Sequence, residues 1–117
     1  MKRLIASVLV LFALAVGSSS AATQQTTATT TIQVKAGEFF FKLSKGSLTK
    51  PGTVVFAVKN VGHLAHDLKI AGKKTALIQP GKSATLKVVF TKAGHYRYLC
   101  TVPGHAAQGM QGTFVVH

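Results

Sequence analysis

Cysteine, histidine and methionine follow one another as Cys-x4-His-x4-Met in the stretch "YLCTVPGHAAQGMQG", which holds Cys100, His105 and Met110. Taken singly, a cysteine is a small buried hydrophobe and a methionine fills gaps. Together, a thiolate, an imidazole and a thioether within one turn offer a soft metal three donors that it prefers. The whole chain has one cysteine and two methionines, so this glycine- and proline-punctuated loop concentrates its scarcest residues.

A loop of this kind needs rigid elements on either side. Apolar and polar residues alternate with period two from Ile32 onward, and no stretch carries a helical stripe. "FFFKLS" puts Phe39, Phe41 and Leu43 on one face, "TVVFAVKN" does so for Val54, Phe56 and Val58, and "ATLKVVF" for Ala84, Leu86, Val88 and Phe90. Turn signals separate these runs at Lys50-Pro51-Gly52, Asn60-Val61-Gly62, Pro80-Gly81 and Ala93-Gly94. Short strands at such regular intervals predict an all-β sandwich.

The same alternation says where the donors point. In "HYRYLC" the phase that sends Tyr96 and Tyr98 inward also turns Cys100 inward at the strand's end, and leaves His95 and Arg97 outside. In "HDLKI" the phase of Leu68 and Ile70 turns His66 inward at the strand's beginning. A histidine entering one strand and a cysteine leaving another can meet at one end of a sandwich. The candidate metal ligands are therefore His66, Cys100, His105 and Met110. His63 is a second candidate histidine, out of phase in the preceding turn; His95 and His117 read as surface residues.

Two imidazoles and a thiolate around a weak axial thioether describe a blue-copper electron-transfer site. Imidazole suits Cu(II), thioether suits Cu(I), and a site between the two preferences need rearrange little when its charge changes. Structural zinc would make no use of the methionine. A binuclear copper centre needs a second cysteine, and a multicopper cluster needs more histidines than remain. A cysteine nucleophile with a histidine base lacks an orienting partner. The chain reads as no enzyme, with one type 1 copper as its cofactor.

These residues also carry a resemblance. The segment "GHYRYLCTVPGHAAQGMQGTFVV" resembles the carboxy-terminal copper loop of the cupredoxins, and "NVGHLAHDLKI" the segment that bears their first histidine; "AGEFFF" and "KPGTVVFAVKN" extend the likeness. The loop spacing is like that of the auracyanin and rusticyanin members. The resemblance implies a Greek-key β-sandwich of seven to eight strands, with one-electron transport as its work. It also implies that the side chain after the first histidine ties its loop to the residue after the cysteine. Many cupredoxins have asparagine there, whereas this chain has Asp67, facing Thr101.

Residues 1–22 read as an export signal: a basic start at Lys2 and Arg3, apolar sequence from Leu4 to Val16, and small residues at Ser20 and Ala22 for cleavage. An uncleaved anchor is the alternative, although the apolar run falls short of the roughly 20 residues that span a bilayer. Residues 23–31 read as a flexible threonine-rich leader and 32–117 as the folded domain. The expected product is a soluble monomer in the periplasm or another extracytoplasmic space, where an unpaired thiol calls for an occupant. Without Lys2 and Arg3 the net charge is about +10, which favours redox partners with acidic docking surfaces. Export removes nucleic acid from the partners, and membrane contact would come only through a partner complex. A module that buffers or delivers copper is the alternative function.

Overall fold

The computed structural model describes residues 28–117 together with Gly17. The expected signal, apart from Gly17, and the first part of the expected leader lie outside the described residues. Among those described, no helix is long and apolar enough to cross a membrane.

Among the described residues, nine strands make two sheets. β1 (Thr29–Gly37), β2 (Phe40–Leu43), β4 (Gly52–Asn60) and β7 (Ser83–Phe90) form a four-stranded sheet in the order β2-β1-β4-β7. β3 (Ser47–Leu48), β5 (Lys69–Ile70), β6 (Lys73–Lys74), β8 (Gly94–Leu99) and β9 (Gln111–Val116) form a five-stranded sheet in the order β3-β9-β8-β5-β6. The all-β sandwich is as the alternation predicts. The strand number exceeds seven or eight because β3 and β6 are two-residue pieces that periodicity does not reveal.

The predicted inward faces are the core. Val54, Phe56 and Val58 of β4 and Leu86, Val88 and Phe90 of β7 are buried, as are Ile32 and Val34 of β1. Phe114 of β9 crosses from the opposite sheet and stacks edge-on against Phe56, with ring centroids 5.6 Å apart. β1 starts three residues before the expected domain boundary. Thr29, Thr30 and Thr31 run parallel to Thr53, Val54 and Val55 of β4, because β-branched threonine suits a strand once a neighbour supplies the ladder.

The lysines, scattered in sequence, are gathered by the register. Lys35 of β1 lies opposite Lys42 of β2 on one side and Lys59 of β4 on the other, and all three side chains are exposed. A basic row thus crosses three strands on the outer face, near the ends from which β1 leads into residues 38 and 39 and β4 into the loop that bears His66.

Candidate metal centre

Two loops at one end of the sandwich bring the donors together. The first descends from β4. Its last residue, Asn60, is fully buried and donates from Nδ2 to the carbonyls of Leu64 (2.7 Å) and Ile78 (2.9 Å), while its Oδ1 accepts from the Gly62 N–H (2.9 Å). These bonds fold residues 60–64 into a fixed turn that delivers His66. His66 then exchanges main-chain hydrogen bonds with Ile78. Of the strand expected over "HDLKI", only Lys69–Ile70 belongs to the sheet, yet the predicted phase holds: His66, Leu68 and Ile70 are all buried.

The second loop leaves β8 at Leu99. The Cys100 N–H donates to the Met110 carbonyl (3.0 Å), and the Met110 N–H donates to the His105 carbonyl (3.2 Å), so the loop closes on itself. A short 3-10 turn, Ala106–Gln108, carries the chain back from His105. Gly109 ends it with φ 124°, and a Cβ there would sit 2.9 Å from the Phe39 carbonyl, so both backbone and space require glycine.

His66 Nδ1 and His105 Nδ1 lie 3.1 Å apart, and Cys100 Sγ is 4.0 Å from the first and 3.6 Å from the second. The centre of such a triangle is about 2 Å from each corner, the length of a bond from a metal to imidazole nitrogen or thiolate sulfur. Met110 is wholly buried beside them. The cluster fits one type 1 copper in both donor chemistry and size. Burial pushes the Cys100 thiol above its ordinary value, and binding of a metal there would release its proton.

His105 keeps only 8 % of its surface accessible, because Phe39 packs edge-on against it at 5.0 Å between centroids. Leu64, Pro103, Gly104 and Ala107 of the two ligand loops are exposed and make an apolar rim. His63 is 99 % exposed and outside the cluster; His95 and His117 are also exposed.

The two carboxylates of the chain, its whole complement of acidic side chains, both serve these loops. Asp67 accepts the Thr101 N–H at 2.6 Å through Oδ1 and the Thr101 hydroxyl through Oδ2, so the tie implied by the family resemblance is present with aspartate in place of asparagine. Glu38, just after β1, has no role in the sequence reading. Its Oε1 accepts the N–H groups of Leu64 (2.6 Å) and His63 (2.8 Å) and lies 3.0 Å from His66 Nε2. The Leu64 N–H above all holds the Glu38 carboxyl down to about 2, with help from His66 and His63 and against partial desolvation. An ionised carboxylate can only accept, so His66 Nε2 carries the hydrogen. The position of Glu38 inside "AGEFFF" was a signal only in that acids are so rare here.

The model of copper-binding proteins of the plastocyanin/azurin family matches residues 14–117. The chain belongs to this family. It is thus a cupredoxin, and its fold agrees: auracyanin A of Chloroflexus aurantiacus superposes with a TM-score of 0.66 over 77 % of this chain and 100 % of that one, at 21 % identity. Auracyanin of Roseiflexus castenholzii gives 0.65 over 77 % and 98 %, at 24 % identity. Among curated sequences, the copper-resistant cuproprotein CopI of Pseudomonas aeruginosa is 34 % identical over 77 residues. That match covers 61 % of this cupredoxin and 42 % of CopI, so the chain spans less than half of that relative.

Proposed function

We propose that this cupredoxin carries single electrons between redox proteins outside the cytoplasm, with copper held by His66, Cys100, His105 and Met110. His66 Nδ1, His105 Nδ1 and Cys100 Sγ would hold the ion between them, and Met110 would add its thioether. Copper in such a set supplies a one-electron couple. The protein's part is to hold three donors from two loops in one arrangement through both charge states. The observation that carries the reading is the convergence of those donor atoms in a buried site whose one accessible edge is His105.

A carrier rather than a catalyst is supported by that burial, since His66, Cys100 and Met110 have almost no accessible surface on which a substrate could land. Electrons would pass through the His105 edge within the apolar rim of Leu64 and Pro103. The row Lys35, Lys42 and Lys59 supplies a positive field on the same end of the molecule, which supports partners with acidic docking surfaces. The basic, apolar and small-residue pattern of 1–22 supports export, with the folded domain following the leader.

Copper buffering or delivery is the second reading, and the likeness to a cuproprotein of copper resistance favours it. Redox titration of the copper-loaded protein distinguishes the two. The carrier reading expects a reversible one-electron titration with fast self-exchange and retention of copper against a competing chelator. Rapid loss of copper to the chelator, with sluggish self-exchange, would overturn it in favour of delivery.

A further inference from the structure

Glu38 joins three things that sequence keeps apart: the end of β1, the turn at His63 and Leu64, and the far edge of the His66 ring. One oxygen, Oε1, makes all three contacts, at 2.8, 2.6 and 3.0 Å. The imidazole has two nitrogens, and fixing a hydrogen on Nε2 leaves Nδ1 bare, with its lone pair aimed at His105 Nδ1 and Cys100 Sγ. Carboxylate behind histidine is an arrangement that orients a ligand ring and raises its basicity.

We propose that Glu38 is a positioning residue that fixes the tautomer and orientation of His66 before metal arrives, and that its charge biases the centre toward oxidised copper. This rests on the reading of His66 as a ligand. The structural half follows from geometry. Two main-chain N–H groups anchor the carboxylate, so it is a fixed wall and not a mobile surface acid. Among the described residues Asp67 is the other carboxylate, and it is engaged by Thr101. The charge of Glu38 is therefore delivered to His66 without a competing cation: its other near contact is His63 Nδ1, 4.0 Å from Oε2, on an exposed ring.

The electrostatic half follows from distance. The carboxylate sits one imidazole ring and one ligand bond from the proposed metal position. Across such a gap, partly screened by solvent, a unit charge changes the preference for the more positive oxidation state by about five- to tenfold. Glutamine separates the two halves, because its single carbonyl oxygen can accept the same three N–H groups while carrying no charge. Alanine removes both.

The test uses the full chain in metal-free and copper-loaded forms. Nitrogen NMR of metal-free wild type is expected to show His66 as the Nε2–H tautomer alone. Glu38→Gln should keep that tautomer and shift the ratio of Cu(I) to Cu(II) affinity by about five- to tenfold toward Cu(I), which raises the potential by about 40–60 mV for one electron. Glu38→Ala should give mixed His66 tautomers and cost about 10- to 100-fold in copper affinity, measured by chelator competition. An Nδ1–H tautomer in wild type, or an unchanged potential in Glu38→Gln, would overturn the proposal, and the second result decides even if Glu38→Ala fails to fold. Loss of the ligand reading has a separate signature: His66→Ala would leave the sulfur-to-copper band of the copper-loaded protein unchanged.

Discussion

Asn60→Ala removes a side chain that makes two hydrogen bonds within the turn before His66 and a third to Ile78, while touching no donor atom. Two carbonyls, of Leu64 and Ile78, lose a donor, and the Gly62 N–H loses its acceptor. Each such bond contributes about 0.5–1.5 kcal/mol net, and groups left unpaired in a buried site cost more. Ile78 is partly protected, because its carbonyl also accepts from the His66 N–H. The sum is about 3 kcal/mol, which for a domain of this size lowers Tm by about 12–24 °C. Asn60→Asp should be no milder: it keeps the acceptor for Gly62 but turns a charged oxygen toward two carbonyl oxygens. Urea unfolding of metal-free protein measures the loss, and hydrogen exchange at Leu64 and Ala65 locates it. An Asn60→Ala protein within about 0.5 kcal/mol of wild type, or an Asn60→Asp protein more stable than Asn60→Ala, would refute the claim that this side chain builds the turn.

Thr101→Ala strands one oxygen of Asp67 in a buried place and should cost about 1.5–3 kcal/mol as a charged hydrogen bond lost; a double-mutant cycle with Asp67→Asn, read by urea unfolding, should show coupling between the two positions. Gly109→Ala forces a side chain into the left-handed region and against the Phe39 carbonyl, so it should lose about 2 kcal/mol or more, visible as a lower Tm. Neutralising Lys35, Lys42 and Lys59 to glutamine should slow the reaction with an acidic redox partner at low salt and flatten its salt dependence, since screening limits such a field to about 8 Å at physiological ionic strength; equal salt slopes for variant and wild type in stopped flow would remove the row from docking.

Much of the centre was legible because strand phase is a local property. Cys100 follows Tyr96 and Tyr98 inward, and His66 precedes Leu68 and Ile70, so two residues far apart in sequence could be placed at one end of the sandwich from period-two alternation alone. What alternation cannot carry is partnership across strands. Lys35, Lys42 and Lys59 become a row only through register. Asp67 is buried although its phase points outward, because two Thr101 donors reward it, and only the family pattern hinted at that. Asn60 looked like a turn former and is one, but one of its three bonds goes to a carbonyl at Ile78 that sequence places elsewhere. Glu38 gave no signal of its own beyond the scarcity of acids. The polar residues that brace the ligands were thus hidden by the same fact that makes them effective: each connects segments remote in the chain.

His66, Cys100, His105 and Met110 are proposed to hold one copper as a type 1 centre. The optical and electron spin resonance spectrum of the copper-loaded protein tests it most directly, with Cys100→Ser and His63→Ala alongside. A type 1 centre is expected to give an intense sulfur-to-copper charge-transfer band with narrow copper hyperfine splitting, abolished by Cys100→Ser and nearly unchanged by His63→Ala. A weak, ordinary Cu(II) spectrum in wild type, or a band that survives Cys100→Ser, would contradict it.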